Sequence, residues 1–337
     1  MPVSGVKPGH PSSIRDVARI AGVSRQTVSR VLNGHPSLRP ETRDRVQAVI
    51  DELRYRPNPI ARALGGSRSR TLGVLASNRA VWASAAAIQG VELAARDAGY
   101  LVNTTNLASS EPAVIRDALA LQVEHHVDGL VIIAPQTRTL DQIDELALEI
   151  PYVMLHSRAE GDEHELFVDQ LAGARAATRH LIGLGHRDIF HLAGPQEWIE
   201  AEARMQGFLT EMIDADLPVR PPVLGDWTSD HGYHAGRELA RFRDFTAVFS
   251  ANDQMALGLV HAFRDAGLDV PGDVSVVGFD DVPEAAHFWP PLTTVRQDFE
   301  ELGRRCVARL LDGGDDHARP ALEPLLVVRD STAPPRP

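Results

Sequence analysis

From residue 71 onward the sequence alternates short apolar runs with amphipathic stretches long enough to form a helix, and few fold classes share this alternation. Short apolar runs are typical of strands buried on both faces, and parallel strands need helical connections between them. The alternation therefore predicts a doubly wound α/β core with parallel sheets. The predicted strands cover 72–76, 100–102, 129–133, 152–155, 189–192, 247–250 and 274–277. The predicted helices include 84–98, 111–126, 172–184, 231–242, 253–266 and 300–311.

The predicted strands form two sets, which implies two sheets and a cleft between two lobes. Ligands of such folds bind beyond the carboxyl ends of the strands. Polar and aromatic residues gather at those ends, namely Trp227, Asn252, Asp253, Asp280 and Asp281. Tryptophan offers a flat apolar surface to the ring carbons of a sugar, and Asp and Asn can bond its hydroxyls. Two interpretations stay open at this point: a sugar site, or structural roles for Asp280 as a helix cap and Trp227 as a core residue.

The first 55 residues predict a small all-α head. A capped helix over 14–21 is followed by a tight turn at Gly22-Val23, and Ser24 caps a second helix over 25–32. A third helix begins at Pro40, because proline suits the first turn of a helix. Two short helices joined by a turn that contains glycine have the helix-turn-helix geometry, which places the second helix in the major groove of DNA. The alternative is a small helical bundle with a polar face.

The outer side of the second helix carries side chains that can bond base edges. Arginine can donate two hydrogen bonds to guanine, and glutamine can make two bonds to adenine. We therefore expect Arg25, Gln26 and Arg30 to read bases. Smaller polar side chains around them would hold backbone phosphates, which fix the position of the protein without reading sequence. These phosphate-contacting residues are Ser24, Thr27, Ser29 and Asn33.

Charge is divided unevenly along the chain. Residues 1–70 carry 13 basic and 5 acidic side chains, a net charge of +8, whereas the remainder carries 21 basic and 41 acidic side chains, a net charge of −20. A basic head suits the phosphates of DNA, and an acidic body repels them. The same distribution is compatible with a solvated basic surface, so charge alone does not decide the function.

The segment that follows the head has the composition of a hinge. Pro57 and Pro59 end the third helix, and Gly65-Gly66 form a flexible exit. The residues over 60–64 can form little more than one helical turn, which is marginal in isolation. We expect this turn to become ordered on DNA, where Leu64 would act as an apolar wedge in the minor groove. An ordinary linker is the alternative.

These segments together resemble the LacI/GalR family of bacterial transcription regulators over nearly the whole chain. The resemblance is carried by 14–33, by Tyr55-Arg-Pro-Asn58 and Ala61-Arg-Ala-Leu64, and in the core by 250–258, 274–281 and 290–299. It implies an allosteric repressor, active as a homodimer on a palindromic operator in double-stranded DNA, with a two-lobed core like that of the periplasmic sugar-binding proteins. Arg39 departs from the family, which usually has a serine there as the cap of the third helix, so we expect a weaker cap.

The resemblance also gives the domain boundaries. We predict a helix-turn-helix DNA-binding domain over 12–55, a hinge helix and linker over 56–67, and an effector-binding and dimerization core over 68–332. The amino lobe would cover about 70–167 and 299–326, and the carboxyl lobe about 168–298 and 327–332. We expect a dimer rather than a tetramer, because the chain ends soon after Asp330.

The effector implied by the resemblance is a small sugar. Six positions match in residue type those that contact galactosides in the family, namely Arg204, Trp227, Asn252, Asp280, Gln297 and Phe299. The amino lobe agrees at Ser77, but Trp82 replaces a histidine, Ile133 an asparagine and His156 an aspartate. We therefore expect a sugar that Ser77, Trp82 and His156 also contact. A galactoside is one candidate, and the identity of the sugar stays open, as does whether it induces or corepresses.

The sequence gives little indication that the protein is an enzyme. The only lysine is Lys7, which excludes Schiff-base chemistry and a phosphate-binding loop from the body of the protein. Cys306 is the only cysteine, so disulfides and cysteine-rich metal sites are excluded, and we expect it in the core. We expect no cofactor, no metal and no catalytic residue. An enzyme or a sugar-binding protein on the same core, without gene regulation, is the alternative.

The sequence also bears on localisation. No apolar run reaches the roughly 20 residues that a membrane-spanning helix needs. The amino-terminal residues lack the apolar segment of a secretory signal. We therefore expect a cytoplasmic protein that does not associate with membranes.

Overall fold

The computed structural model describes residues 13–32, 38–55, 69–77, 82–144, 148–156, 164–242, 244–312 and 321–336. Contacts within the chain divide it into two compact units, Met1–Ser69 and Arg70–Pro337, which we call the head and the core. Two residues predicted to bind DNA, Asn33 and Leu64, lie outside the described residues. The predicted hinge over 56–67 lies outside them as well.

The described part of the head is built from helices Ile14–Ala21, Arg25–Leu32 and Pro40–Glu52. The first helix begins in a reciprocal cap: Ser13 Oγ accepts a hydrogen bond from the Asp16 N–H, and the Asp16 carboxylate accepts one from the Ser13 N–H. It ends at Gly22, whose φ of 66° lies in the left-handed region that glycine tolerates. The three helices pack on one small core that contains three fully buried valines. The predicted helix-turn-helix is confirmed.

The third helix shows the weak cap expected from its sequence. Pro40 occupies the first turn, as predicted. Arg39 at the N-cap has an extended backbone and makes no side-chain hydrogen bond to the helix. Because a serine there would satisfy one of the free N–H groups of the first turn, this helix start is less stabilised than the first one.

The core contains two four-stranded sheets, both parallel, and the predicted α/β architecture is confirmed. The sheet of the amino lobe has the strand order Leu101–Leu107, Thr71–Ser77, Gly129–Ile133 and Tyr152–Met154. The sheet of the carboxyl lobe has the order Val223–Leu224, Ile189–Ala193, Ala247–Ser250 and Ser275–Val277. Two small pairs join Thr294–Arg296 to Leu325–Val327 in antiparallel orientation and Phe167–Val168 to Ala321–Leu322 in parallel orientation.

Helices pack against both sheets, and the strands are apolar because this packing buries them. In the strand Thr71–Ser77, Leu72 and Val74 belong to one apolar cluster and Leu75 belongs to another, so the strand is buried on both faces. The helices in the described part of the core are Trp82–Asp97, Pro112–Glu124, Thr137–Asp144, Gln170–Gly183, Ile199–Asp214, Ser229–Leu239, Asp253–Asp265 and Phe299–Asp312, with a short 3₁₀ helix at Pro283–His287. None of the described helices combines the length and apolar character needed to cross a membrane.

The helix Phe299–Asp312 carries the chain from the carboxyl lobe back into the amino lobe. Its buried residues share an apolar cluster with the strand Thr71–Ser77 and the helix Trp82–Asp97. Gly90 and Gly303 let the two helices approach closely, because a Cβ atom at either glycine would collide with the backbone of the other helix. Cys306 lies in this cluster, as expected of a core residue, and burial raises the pKa of its thiol to about 12.

His191 lies in the middle of the strand Ile189–Ala193 and is almost fully buried. Its ring stacks between Phe208 and Phe249, at centroid distances of 5.0 and 4.8 Å. Nδ1–H donates a hydrogen bond of 3.0 Å to the carbonyl of Phe249. Burial lowers the pKa of His191 to about 4, because the charged ring would lie in an apolar core.

This histidine should make the protein less stable in mild acid. The unfolded chain binds a proton at His191 near pH 6.5, whereas the folded chain binds it only near pH 4, so stability falls as the pH drops through that window. The loss at pH 5.5 should be about 1.4 kcal/mol for this residue. Urea titrations at pH 7.5 and at pH 5.5 measure the free energy of unfolding. In His191→Phe the difference between these two values should be smaller than in the wild type by about that amount.

The control for this experiment is His287→Gln, which removes an exposed histidine and should leave the pH dependence unchanged. His180 and His186 also have a lowered pKa through burial, so His191→Phe removes only part of the dependence. An unchanged difference between the two pH values in His191→Phe would contradict the prediction.

Candidate functional site

The second helix of the head presents its polar side chains on one side. Arg25, Gln26 and Arg30 are exposed, whereas Val28 and Val31 on the opposite side are buried. The predicted base-reading residues are therefore together on one exposed helix face. This is the arrangement that a helix needs when it inserts side chains into a groove.

Of the remaining described residues of this predicted interface, Ser24 and Thr27 lie at the start of the same helix and Ser29 lies in its middle. Ser24 Oγ accepts a hydrogen bond of 3.1 Å from the Thr27 N–H and lies 2.9 Å from Thr27 Oγ1. Ser24 is exposed, and Thr27 and Ser29 are half-buried. Ser24 therefore caps the helix, as predicted, and the hydroxyl of Thr27 lies beside it.

A cleft of about 590 Å³, including the open solvent at its mouth, lies in the core where strands of both sheets end. Seven of the predicted effector-binding residues line it, namely Arg204, Trp227, Asn252, Asp280, Gln297, Phe299 and His156. Ser77 and Trp82 are not part of the lining. Ser77 donates a hydrogen bond to Gln136 Oε1, and the Trp82 ring packs edge-on against Phe299 at 5.7 Å.

Four side chains of the cleft form a closed ring of polar contacts, which we call the polar ring. Arg204 Nε donates to Gln170 Oε1 at 2.9 Å, and Gln170 Nε2 donates to Gln297 Oε1 at 2.7 Å. Gln297 Nε2 donates to Asp280 Oδ1 at 2.7 Å. The ring closes where Arg204 Nη2 lies 3.4 Å from Asp280 Oδ1. The third nitrogen of Arg204, Nη1, donates to the carbonyl of Ala251.

The charged members of the polar ring are almost fully buried, and this perturbs both pKa values. Burial raises the pKa of Asp280 to about 6, although Arg204 favours the ionised carboxylate. Burial lowers the pKa of Arg204, and Asp280 opposes that change by favouring the charged guanidinium. At neutral pH the two groups are therefore a buried ion pair in which each charge compensates the other.

Trp227 forms an aromatic wall of the cleft. Its ring meets Trp198 edge-on at 5.5 Å, and the Arg204 guanidinium lies 5.6 Å from the ring centroid. The ring also covers Gly194, where a Cβ atom would overlap the indole. Its Nε1–H is buried and has no hydrogen-bond partner among the described residues. The wall thus offers a flat apolar surface with one free donor.

Asn252 holds this wall in place. Its Nδ2 donates a hydrogen bond of 3.0 Å to the Trp227 carbonyl. Its Oδ1 accepts one of 2.9 Å from the Met255 N–H and so caps the helix Asp253–Asp265. Asn252 therefore has a capping role and also lines the cleft.

The amino lobe contributes a mostly apolar side of the cleft, including Ile133 and Leu155. The polar exceptions are Ser84 and His156, which are both buried. The Nε2 atom of His156 accepts a hydrogen bond of 2.7 Å from the Ala134 N–H, and its Nδ1–H donates one of 2.6 Å to Glu200 Oε1. Since Glu200 belongs to the helix Ile199–Asp214 of the carboxyl lobe, this bond joins the two lobes across the cleft.

Among the cleft residues that the sequence analysis missed are Gln170, Trp198 and Glu200. The helix Ile199–Asp214, which carries Glu200 and Arg204, was not among the predicted segments. The position of Trp198 gave a signal that could have been used, because it follows the predicted strand over 189–192 as Trp227 follows another strand. Gln170 stands at the start of its helix and gave no comparable signal.

Other titratable clusters do not form a site. Asp281 points away from Asp280 and pairs with Arg296 and Arg329 at 2.7 and 2.6 Å, so the two adjacent carboxylates do not share a proton. In the part of the chain that the structure describes, no group of three or more His, Cys, Asp or Glu side chains is placed to hold a metal ion.

Comparisons with known proteins agree with this geometry. Residues 13–58 match the family model described as bacterial regulatory proteins, lacI family, and residues 178–332 match a periplasmic binding protein-like domain. The lactose operon repressor of Escherichia coli is 34% identical over 307 residues, which are 89% of this chain and 84% of the relative. The HTH-type transcriptional regulator CelR of Thermobifida fusca is 36% identical over 337 residues, which are 94% of this chain and 96% of the relative.

Solved structures are similar over nearly the whole chain. The lac repressor dimer bound to operator and the anti-inducer ONPF has a TM-score of 0.87 at 32% identity, and the match covers 96% of this chain and 100% of the other. The CelR–cellobiose complex has a TM-score of 0.68 at 34% identity, with coverage of 95% and 99%.

The buried ion pair of the polar ring should matter for stability. Asp280→Ala would leave the charge of Arg204 buried and uncompensated, and should lower the free energy of unfolding by about 3 kcal/mol. The matched control is Glu238→Ala, which breaks an exposed pair with Arg241 of 2.7 Å and should cost less than about 1 kcal/mol. Urea denaturation at pH 7.5 measures both. Equal losses in the two variants would contradict the assignment of a compensated buried pair.

Proposed function

The chain belongs to the LacI family of bacterial regulatory proteins, and on this premise we propose that it is a transcriptional repressor controlled by a small sugar bound in the cleft of its core. The family consists of regulators that bind DNA, and the alternative of an enzyme is set aside. The observation that carries the proposal is the cleft itself, where residues from both lobes surround a polar ring and an aromatic wall.

We propose that the head binds a palindromic operator as part of a homodimer. The exposed face of Arg25, Gln26 and Arg30 supports base reading, with Ser24, Thr27, Ser29 and Asn33 on phosphates and Leu64 in the minor groove. The net charge of +8 on residues 1–70 supplies the attraction to phosphates. The similar lac repressor structure is a dimer bound to operator, which supports the same assembly here.

A sugar effector is supported by the chemistry of the cleft. Trp227 offers its ring to the apolar face of a sugar, and the planar groups of the polar ring can bond neighbouring hydroxyls. The similar CelR structure is a complex with cellobiose, a sugar. Within the sugars, a galactoside is our proposal for the carboxyl-lobe half of the cleft, because its residues match the galactoside pattern in type.

Sugar and operator would be linked through the arrangement of the two lobes. A sugar that binds one arrangement more tightly shifts the equilibrium towards it, and the operator is bound less tightly if that arrangement separates the hinge segments of the two subunits. The linkage is reciprocal, and such couplings are typically ~1–3 kcal/mol. We propose release of the operator as the direction of the response.

Binding to DNA should depend steeply on salt and on Arg30. With a duplex selected from a randomised palindromic library, affinity measured by fluorescence polarization should fall at least roughly a hundredfold between 50 and 200 mM salt. Arg30→Ala should relax preference at one base position of each half-site, with a loss of ~1–3 kcal/mol for the selected duplex. The control, Arg264→Ala, removes the same charge from an exposed position on a helix of the core and should change neither result.

The two outcomes that count against the DNA interface are distinct. If no duplex is selected at 50 mM salt, the protein is not a regulator of this kind. If Arg30→Ala lowers affinity equally for every duplex, then Arg30 contacts phosphates rather than bases.

Gly194 tests the position of the sugar. Gly194→Ala would push the indole of Trp227 into the cleft and should weaken the best sugar of a calorimetric panel at least about tenfold, since aromatic contacts of this size contribute over 1 kcal/mol. The panel contains galactosides, glucosides and free monosaccharides. Gly183→Ala is the matched control, because nothing lies within 4 Å of a Cβ atom there. Equal sugar affinity in the two variants would contradict the cleft assignment.

A further inference from the structure

The cleft contains a carboxylate oxygen that no described group satisfies, Oε2 of Glu200. Glu200 lines the cleft, and its Oε2 atom is buried without a hydrogen-bond partner among the described residues. The other oxygen, Oε1, accepts the Nδ1–H of His156. Since an unpaired buried polar atom is costly, Oε2 is an acceptor that a ligand with a hydroxyl donor would satisfy.

The charge of this carboxylate is not neutralised by His156. The Nε2 atom of His156 accepts the Ala134 N–H, so it carries no proton, and the single proton of the ring is on Nδ1. The imidazole is therefore neutral while both hydrogen bonds are made. It fixes the orientation of Glu200 without supplying a positive charge.

Arg204 attracts Glu200, but the described structure gives no hydrogen bond between them. Each guanidinium nitrogen donates to another group: Nε to Gln170, Nη1 to the Ala251 carbonyl and Nη2 to Asp280. Asp280 contributes most to compensating the charge of Arg204, and Glu200 contributes less. The charged residues of the described lining are Glu200, Arg204 and Asp280, which together carry one net negative charge.

Two fully buried atoms of the described cleft lining lack a hydrogen-bond partner, one an acceptor and the other a donor. The acceptor is Glu200 Oε2, and the donor is the buried Trp227 Nε1–H. A sugar hydroxyl can donate to the first, and a ring or hydroxyl oxygen can accept from the second. A phosphate or carboxylate group would add negative charge to a described lining that already carries one net negative charge, and like charges repel strongly where water is excluded.

We propose that Glu200 selects the effector by charge: the cleft binds an uncharged sugar that donates a hydroxyl to Glu200 Oε2, and it rejects sugar phosphates and uronates. The inference rests on the proposed sugar-binding function and narrows the class of sugar. Glu200 is in this respect a specificity-determining residue of the cleft.

Glu200→Gln tests the proposal. The amide oxygen can keep the bond from His156, while the amide nitrogen replaces the free acceptor by a donor and the negative charge is removed. Calorimetry on the full-length protein compares the best neutral sugar of the panel with its 6-phosphate and its uronate. The wild type should bind the neutral sugar at least about a hundredfold more tightly than either acid. Glu200→Gln should bind the neutral sugar at least about tenfold more weakly than the wild type does. Its preference for the neutral sugar over the two acids should be at least about tenfold smaller.

Two further variants complete the experiment. Glu202→Gln makes the same charge change at an exposed position of the same helix and should behave as the wild type. Glu200→Asp keeps the charge but draws the oxygens back, so it should weaken the neutral sugar and retain the rejection of acids. Thermal unfolding establishes that each variant is folded. If Glu200→Gln does not fold, Glu200→Asp still tests whether Glu200 contacts the neutral sugar.

The possible failures are distinguishable. Unchanged affinity for the neutral sugar in a folded Glu200→Gln overturns the role of Glu200 and leaves the sugar effector standing. If the wild type prefers the phosphate or the uronate, the proposed selection by charge is wrong, but the sugar effector still stands. A wild type that binds no sugar of either kind overturns the proposed effector class and this inference with it.

Discussion

The cleft depends on the burial of one positive charge. Arg204 remains charged inside the core because Asp280, together with Glu200 and Asp253, compensates its charge and because Gln170 and the Ala251 carbonyl accept its other hydrogen bonds. The partners come from separate segments: Gln170 starts one helix, Asp280 follows a strand, and Gln297 follows another. Holding them in a closed ring therefore fixes where these segments meet. The polar ring therefore has a fixed geometry, which reduces the ordering that binding of a ligand requires.

The two lobes contribute unlike surfaces to the cleft, and this follows from how the chain crosses between them. The carboxyl lobe supplies the polar ring and Trp227, whereas the amino lobe supplies mostly apolar residues such as Ile133 and Leu155. Phe299 stands where the chain returns to the amino lobe, and Trp82 supports its ring at 5.7 Å. Trp82 therefore acts on the cleft through Phe299. A ligand that fits both sides has a hydroxylated face and an apolar face, as sugars do.

Much of the fold could be predicted because its signals are repeated along the chain. Most of the longer parallel strands are apolar runs, although Leu101–Leu107 has four polar residues in its middle, and each helix of the head has a start signal such as Ser13 or Pro40. Strands of two residues, such as Val223–Leu224, have no period to detect. The cleft was predictable where polar side chains follow strands, as Asn252 and Asp280 do. Glu200 was missed because its role arises from a contact with His156, 44 residues away, which no local pattern encodes.

The hydrogen bond between His156 and Glu200 also bears on how a ligand could act at a distance. A ligand shifts a conformational equilibrium only by its difference in affinity between the two states. Under the proposed contact Glu200 offers such a difference, because one of its oxygens bonds His156 of the amino lobe while the other has no partner among the described residues. If the lobes separate, His156 no longer orients the carboxylate, and a ligand on Oε2 would lose a positioned acceptor. The proposed binding at Glu200 and the approach of the lobes would therefore be coupled through one side chain, equally in both directions.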